Sequence, residues 1–86
     1  MRLQFTKKFA KQRGKLPEKI QAAFGERLRL FLQDPFHPLL RNHELHGPYA
    51  DCRSVNITGD IRAVYRHPAP HVAEFIRIGT QAELYE

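Results

Sequence analysis

Apolar and polar positions alternate through residues 52–80. Val55 and Ile57 are interleaved with Ser54, Asn56 and Thr58, and β-branched residues recur through the three runs 52–58, 61–67 and 72–80. This is the period-two signature of strands with one face on a core, and it places polar side chains together on the other face. Gly59-Asp60 between the first two runs has the composition of a two-residue hairpin connection, since glycine takes positive φ without steric cost. The first two strands are therefore expected to pair antiparallel. A proline-marked turn leads to the third.

Upstream the period changes. Leu3 and Phe5 suit a short strand joining the edge of the later sheet, and Thr6 suits a helix cap. Over 7–15 only Phe9 and Ala10 form an apolar stripe. Leu16-Pro17 breaks that helix, because proline disfavours helical backbone before it yet fits the first position of a new helix. Ile20, Phe24, Leu28 and Phe31 then share one face over about four turns, with Ala23 and Leu32 beside them, ending near Asp34-Pro35. The two helices are expected to form a hairpin that buries its apolar faces on the Val and Ile face of the sheet. Residues 35–48 follow neither period and hold three prolines, so a long irregular connection is expected, pinned by Leu39, Leu40 and Leu45. Gln81 to Glu86 is too short for a stable element by itself, and Tyr85 is expected to dock its ring with its hydroxyl accessible.

The chain has 86 residues, 42% of them apolar and 27% charged, which fits one globular domain over 1–86, near the size where a single core is barely sufficient. Cys52 is the one cysteine, so no internal disulfide can form, and no apolar run reaches the length of a signal core or membrane span. A cytoplasmic protein without membrane association is expected. The net charge of +5 is uneven: residues 1–29 hold nine Lys and Arg against Glu18 and Glu26, whereas 30–86 hold five against seven acids. That asymmetry favours a polyanionic partner, nucleic acid or an acidic protein segment. His43-Glu-Leu-His46 has a spacing at which two imidazoles can share an ion, but no cysteine or carboxylate pair completes a site, so neither a metal nor another cofactor is expected.

The order of these pieces resembles a known family. A basic helical hairpin, the His43-Glu-Leu-His-Gly loop, Cys52-Arg-Ser-Val-Asn-Ile, Asp60-Ile-Arg-Ala-Val-Tyr-Arg and Phe75-Ile-Arg-Ile-Gly-Thr-Gln-Ala-Glu-Leu-Tyr are together similar to the RelE/YafQ superfamily of toxins from type II toxin-antitoxin systems. The resemblance implies an α+β fold with the N-terminal helical hairpin on one face of a small antiparallel sheet and an RNA site on the other. It also implies a ribosome-dependent endoribonuclease that cuts mRNA in the decoding site and is silenced by a cognate antitoxin. In the YafQ-like pattern His43 matches the loop histidine, Asp60 the hairpin aspartate and Arg77 the arginine of the last strand. Arg62 matches the arginine of the RelE Arg-x-Val-Tyr motif, and Tyr85 the terminal aromatic. Two positions depart: a strand histidine is Asn56 here, and Gly-Thr-His reads Gly79-Thr-Gln81.

Metal-free RNA cleavage by the ribose 2′-hydroxyl needs a proton acceptor, a proton donor and cations for the dianionic phosphorane. An imidazole titrates near neutrality, which suits His43, and guanidinium forks suit Arg62 and Arg77. Asp60 can orient His43 or an arginine; Tyr85 can stack on a base or donate to phosphate. Gln81 keeps hydrogen bonding but cannot exchange a proton, so weakened catalysis is expected. Lys7, Lys8, Lys11, Lys15, Arg53 and Asn56 are expected to contact RNA. A two-residue turn at Gly59-Asp60 would put Arg62 opposite Ile57 on one face, whereas a longer loop would reverse it. Two other readings stay open: a gyrase poison of the ParE-like branch, against which Gly79-Thr-x-x-x-Leu-Tyr85 weighs, and a descendant that binds without catalysis.

Overall fold

The computed structural model describes residues 1–85 and is an α+β layer structure, with two helices over one face of a five-stranded sheet. In chain order the elements are β1 (Arg2–Phe5), α1 (Lys7–Gly14), α2 (Glu18–Gln33), β2 (His43–Glu44), β3 (Arg53–Asn56), β4 (Ile61–Ala69), β5 (Val72–Thr80) and α3 (Gln81–Leu84). The strands lie in the order β1-β5-β4-β3-β2. β2, β3, β4 and β5 pair antiparallel in turn, but β1 runs parallel to β5, with Arg2 beside Val72 and Phe5 beside Phe75. The sheet is thus mixed rather than antiparallel. Apolar periodicity marks a strand without giving its direction, and the two helices after β1 carry the chain across the sheet before it returns.

Thr6 caps α1, its hydroxyl accepting from the Phe9 N–H at 3.1 Å, and its own N–H donates to the Phe75 carbonyl, which ties the helix start to β5. Thr6→Ala should cost about 1 kcal/mol. A urea titration would read this as a lower midpoint at unchanged slope; an unmoved midpoint would show that the cap is dispensable.

Phe9, Phe24, Phe31, Tyr65 and Phe75 form the centre of the core, each at most 1% exposed. Phe9 meets Phe24 at 5.4 Å and Phe75 at 5.8 Å, and Phe31 stands edge-on to Tyr65 at 4.9 Å. The two helices therefore touch through aromatic rings as well as covering the sheet, with Val55, Ile57, Ile61, Ala63, Ala73 and Ile78 beneath them. Ile20, Ala23 and Leu28 pack at the margin, while Leu32 is exposed. Of the three leucines expected to pin the connection, Leu40 and Leu45 are buried; Leu39 is exposed because the adjacent Leu40 takes the inward position of a 3-10 turn over Pro38–Leu40.

The β3–β4 connection spans residues 57–60, and the loop closed by the Ile57–Ile61 backbone hydrogen bond has three residues, Thr58, Gly59 and Asp60, not two. The Thr58 hydroxyl accepts from the Ile61 N–H at 3.1 Å and from the Asp60 N–H at 3.4 Å, and the Ile57 N–H donates to the Ile61 carbonyl. A threonine able to bond its own turn adds one residue to the loop and shifts the register. Arg62 consequently lies opposite Asn56, facing away from the helices.

That second face has a small apolar patch of its own: Leu45, Cys52, Val64 and Leu84, with Tyr49 and Ile76 against it. Ser54 is wholly buried on this face, so it does not belong to the expected polar surface. The segment after β5 is a full helical turn. Thr80 and Glu83 make a reciprocal capping box, at 2.9 and 3.1 Å, which compensates for the shortness of α3. Among the described residues no helix is long and apolar enough to cross a membrane.

Candidate functional site

The face opposite the helices gathers most of the candidate residues into two groups. In the first, His43 sits on the edge strand β2 and shares a cleft of about 270 Å³ with Leu45, His46 and Tyr85. His43 Nδ1 lies 2.8 Å from the Arg41 carbonyl. A carbonyl can only accept, so Nδ1 must carry the hydrogen, and in the neutral ring Nε2 is the nitrogen with a lone pair. Arg41 offers that carbonyl from a left-handed conformation, φ 47°, at the end of the 3-10 turn.

Tyr85 docks as expected, its ring edge-on to Tyr49 at 6.2 Å, and it remains 41% exposed. A second, smaller cleft on its other side is lined by His46, Pro48, Tyr49 and Leu84. Arg77 reaches this group through Tyr49, whose hydroxyl accepts from Nη1 at 2.5 Å. Arg77 Nε is buried without a partner, so the guanidinium is tethered at one corner with donors to spare.

The second group lies around the β3–β4 loop. Arg62 folds back on it, Nη1 donating to the carbonyls of Thr58 and Gly59, each at 3.1 Å, and of Ile61 at 3.3 Å. Asn56 is its cross-strand neighbour. The Asp60 carbonyl accepts from the Gln81 N–H at 3.2 Å, which joins the loop to the start of α3. Among the described residues the Asp60 carboxylate makes no hydrogen bond or ion pair. Of the two contacts open to Asp60, with His43 or with an arginine, neither is made among the described residues, and the Arg41 carbonyl lies against the imidazole. The Gln81 side chain is exposed at the first position of α3.

Arg53 stands elsewhere. It pairs in register with Tyr65 on the helix side, donates from Nε to Asn42 Oδ1 at 2.7 Å, lies over the Phe36 ring at 5.2 Å and meets Glu44 at 3.4 Å. Asn42 in turn donates to the Tyr65 hydroxyl at 2.7 Å, and burial pushes that phenol above its ordinary pKa. Arg53 is thus part of a network that anchors the long connection, apart from the face that carries His43. Lys7, Lys8, Lys11 and Lys15 are exposed along and just after α1. The two ion pairs among the described residues, Arg53–Glu44 and Arg66–Glu74, leave the first third of the chain out.

Sequence reasoning missed Tyr49 and undervalued His46. Tyr49 lies in a Gly-Pro-Tyr turn that offered no periodic signal, and its value comes from meeting Arg77 across 28 residues. The sequence marks His46 only by its spacing from His43, whereas the structure sets it beside Tyr85 in both clefts. No group of three or more His, Cys, Asp or Glu close enough to hold an ion occurs among the described residues.

This fold is that of solved toxins of the RelE/YafQ type. The chain superposes on the crystal structure of YafQ from E. coli with a TM-score of 0.81 at 22% identity, covering 100% of both chains. A YoeB/ParE toxin from Agrobacterium tumefaciens gives 0.77 at 22%, over 94% of this chain and 99% of that one. The RelBE2 toxin-antitoxin complex from Mycobacterium tuberculosis gives 0.69 at 25%, over 93% and 96%. No curated protein sequence matches. A family model described as the ParE toxin of the type II toxin-antitoxin system parDE matches residues 3–85, and the chain belongs to that family. The match runs through Gly79 to Tyr85, so that segment does not separate the ParE-like branch from the others.

Proposed function

We propose that the protein is a toxin that cuts mRNA on the ribosome and is neutralised by a cognate antitoxin. The observation that carries this reading is the joining of His43, Tyr85 and, through Tyr49, Arg77 on the face opposite the helices. With Nδ1–H held by a carbonyl, His43 Nε2 is prepared to take the proton of a ribose 2′-hydroxyl, and the oxygen attacks the adjacent phosphorus. Arg77 stabilises the charge that develops on the phosphorane. Arg62, Asn56 and Asp60 border the same face, where Arg62 offers its remaining N–H groups to phosphate. Tyr85 offers a ring for base stacking, and the lysines of α1 hold the nucleic-acid backbone. Departure of the 5′-oxygen needs a proton that Gln81 cannot supply, so it comes from water or from the His43 imidazolium formed in the first step.

The ribosomal reading is tested by primer extension on a programmed ribosome complex. A cut within the decoding-site codon supports it. The description of the matched family favours a second reading, a ParE-like toxin that acts by binding DNA gyrase. Loss of gyrase supercoiling with intact mRNA would select that reading.

The antitoxin partner is supported by the M. tuberculosis toxin-antitoxin complex among the similar structures and by nine cations in residues 1–29 that have no ion-pair partner among the described residues. An amphipathic, acidic segment fits such a surface. Tagged protein expressed from its own operon should come away with a second small protein, and the complex should loosen at high salt. Recovery of the tagged chain alone at low salt would refute this.

A further inference from the structure

On the other side of Arg77 lies a cleft of about 320 Å³, formed where the end of α1 meets β5 and α3. Its polar lining is Gln12, Lys15, Arg77 and Glu83. Gln12 spends its amide oxygen on the Ile78 N–H at 3.0 Å, so its NH₂ is the end it can offer an incoming acceptor. Arg77 borders the cleft, its Nη1 donating to the Tyr49 hydroxyl and its Nε buried without a partner. Lys15 is exposed at the rim. These three groups are all donors, which suits an anionic ligand rich in acceptors.

The charge balance narrows the ligand. Glu83 points one carboxylate oxygen at the Thr80 N–H, 2.9 Å away, and its acid is held below the ordinary value mainly by that backbone hydrogen bond, so it stays ionised. Two cations against one carboxylate leave a single positive charge. This suits a phosphodiester, which carries one negative charge, better than a terminal phosphate, which carries about −1.5 to −2.

We propose that this cleft is a second phosphate subsite, one that holds a phosphodiester of the RNA strand beside the group being cut, with Lys15, Gln12 and the Arg77 guanidinium as donors. The inference rests on the mRNA-cleaving reading for the identity of the strand. It extends the site from the His43–Tyr85 cleft across Arg77 to the end of α1, and it separates Lys15 in kind from Lys7, Lys8 and Lys11.

The test measures binding of a short, fully 2′-O-methylated single-stranded RNA by fluorescence anisotropy over a salt series, with programmed-ribosome cleavage in parallel. Lys15→Ala should weaken binding several-fold and lower the salt slope by about 1, more than Lys19→Ala does on the exposed side of α2. Glu83→Gln keeps the capping box and should tighten binding, because it removes the opposing charge. Inorganic phosphate at millimolar concentration should not displace the RNA. The subsite is overturned if Lys15→Ala and Lys19→Ala behave alike, if Glu83→Gln fails to tighten binding, if free phosphate competes at millimolar levels, or if the wild-type protein does not bind the RNA. Tight binding with these variant effects but no cleavage would uphold the subsite and refute the cleavage reading; cleavage with Lys15→Ala at full affinity would do the reverse.

Discussion

Arg77→Ala, placed in a Gln81→His background, should lower cleavage of a programmed ribosome complex by about 10²- to 10³-fold, the loss typical when one preorganised donor to a developing oxyanion is removed. Arg77 is a candidate for so large an effect because its orientation is set before substrate arrives. Nη1 is bound to the Tyr49 hydroxyl, and no carboxylate forms an ion pair with the guanidinium among the described residues. A guanidinium already neutralised by an acid would have less to offer a phosphorane. The fold should survive, since what is lost is one hydrogen bond to Tyr49, worth about 1 kcal/mol, and the paired backbone of β4 and β5 stays as it is. The thermal midpoint is the control. A variant that melts near the parent temperature and still cuts at the parent rate would remove Arg77 from the mechanism.

The elements of this fold were legible because each carries a periodicity strong enough to read alone. Thr6 as a cap, the Leu16-Pro17 break and the strand runs after Cys52 all come from local chemistry, and the structure has them at or near the expected positions. What escaped was relational. The parallel pairing of β1 depends on the path of two helices, which no residue of β1 encodes. The facing of Arg62 depends on whether Thr58 bonds its own turn, and one extra loop residue turns the side chain to the opposite surface.

The site divides along the same line. His43, Asp60, Arg77 and Tyr85 could be singled out because a family pattern attaches to them, yet the pattern does not say which of them touch. His43 is oriented by a backbone carbonyl from Arg41, an interaction no side-chain motif could signal. Tyr49 holds Arg77 from a turn with no repeat of its own, and Arg53, one of a row of arginines in the sequence, belongs to the Asn42–Tyr65 network on the helix side.

Gln81→His should raise ribosome-dependent cleavage by more than tenfold. The Arg41 carbonyl holds His43 Nδ1–H, so in the neutral ring Nε2 is the acceptor for the first step, and the departing 5′-oxygen has no separate donor of its own. Gln81 opens α3 on the segment that also carries Tyr85, and its N–H is fixed to the Asp60 carbonyl. A histidine there would add an imidazole able to give up a proton near neutral pH, in a backbone position the substitution need not disturb because the side chain is exposed. General acid catalysis typically contributes about 10²- to 10⁴-fold, so partial recovery alone exceeds tenfold, whereas exchanging one neutral hydrogen bond worth about 1 kcal/mol would move the rate only about fivefold. Antitoxin affinity should change little, since the change removes no charge from the basic first third. The measurement is the single-turnover rate of both proteins on one programmed complex across pH 6 to 8, with primer extension to locate the cut. A rise confined to the histidine variant and falling as its imidazole deprotonates would identify the proton donor. Equal rates would mean that Gln81 is not the missing acid, and His46, which shares both clefts with Tyr85, would become the group to replace next.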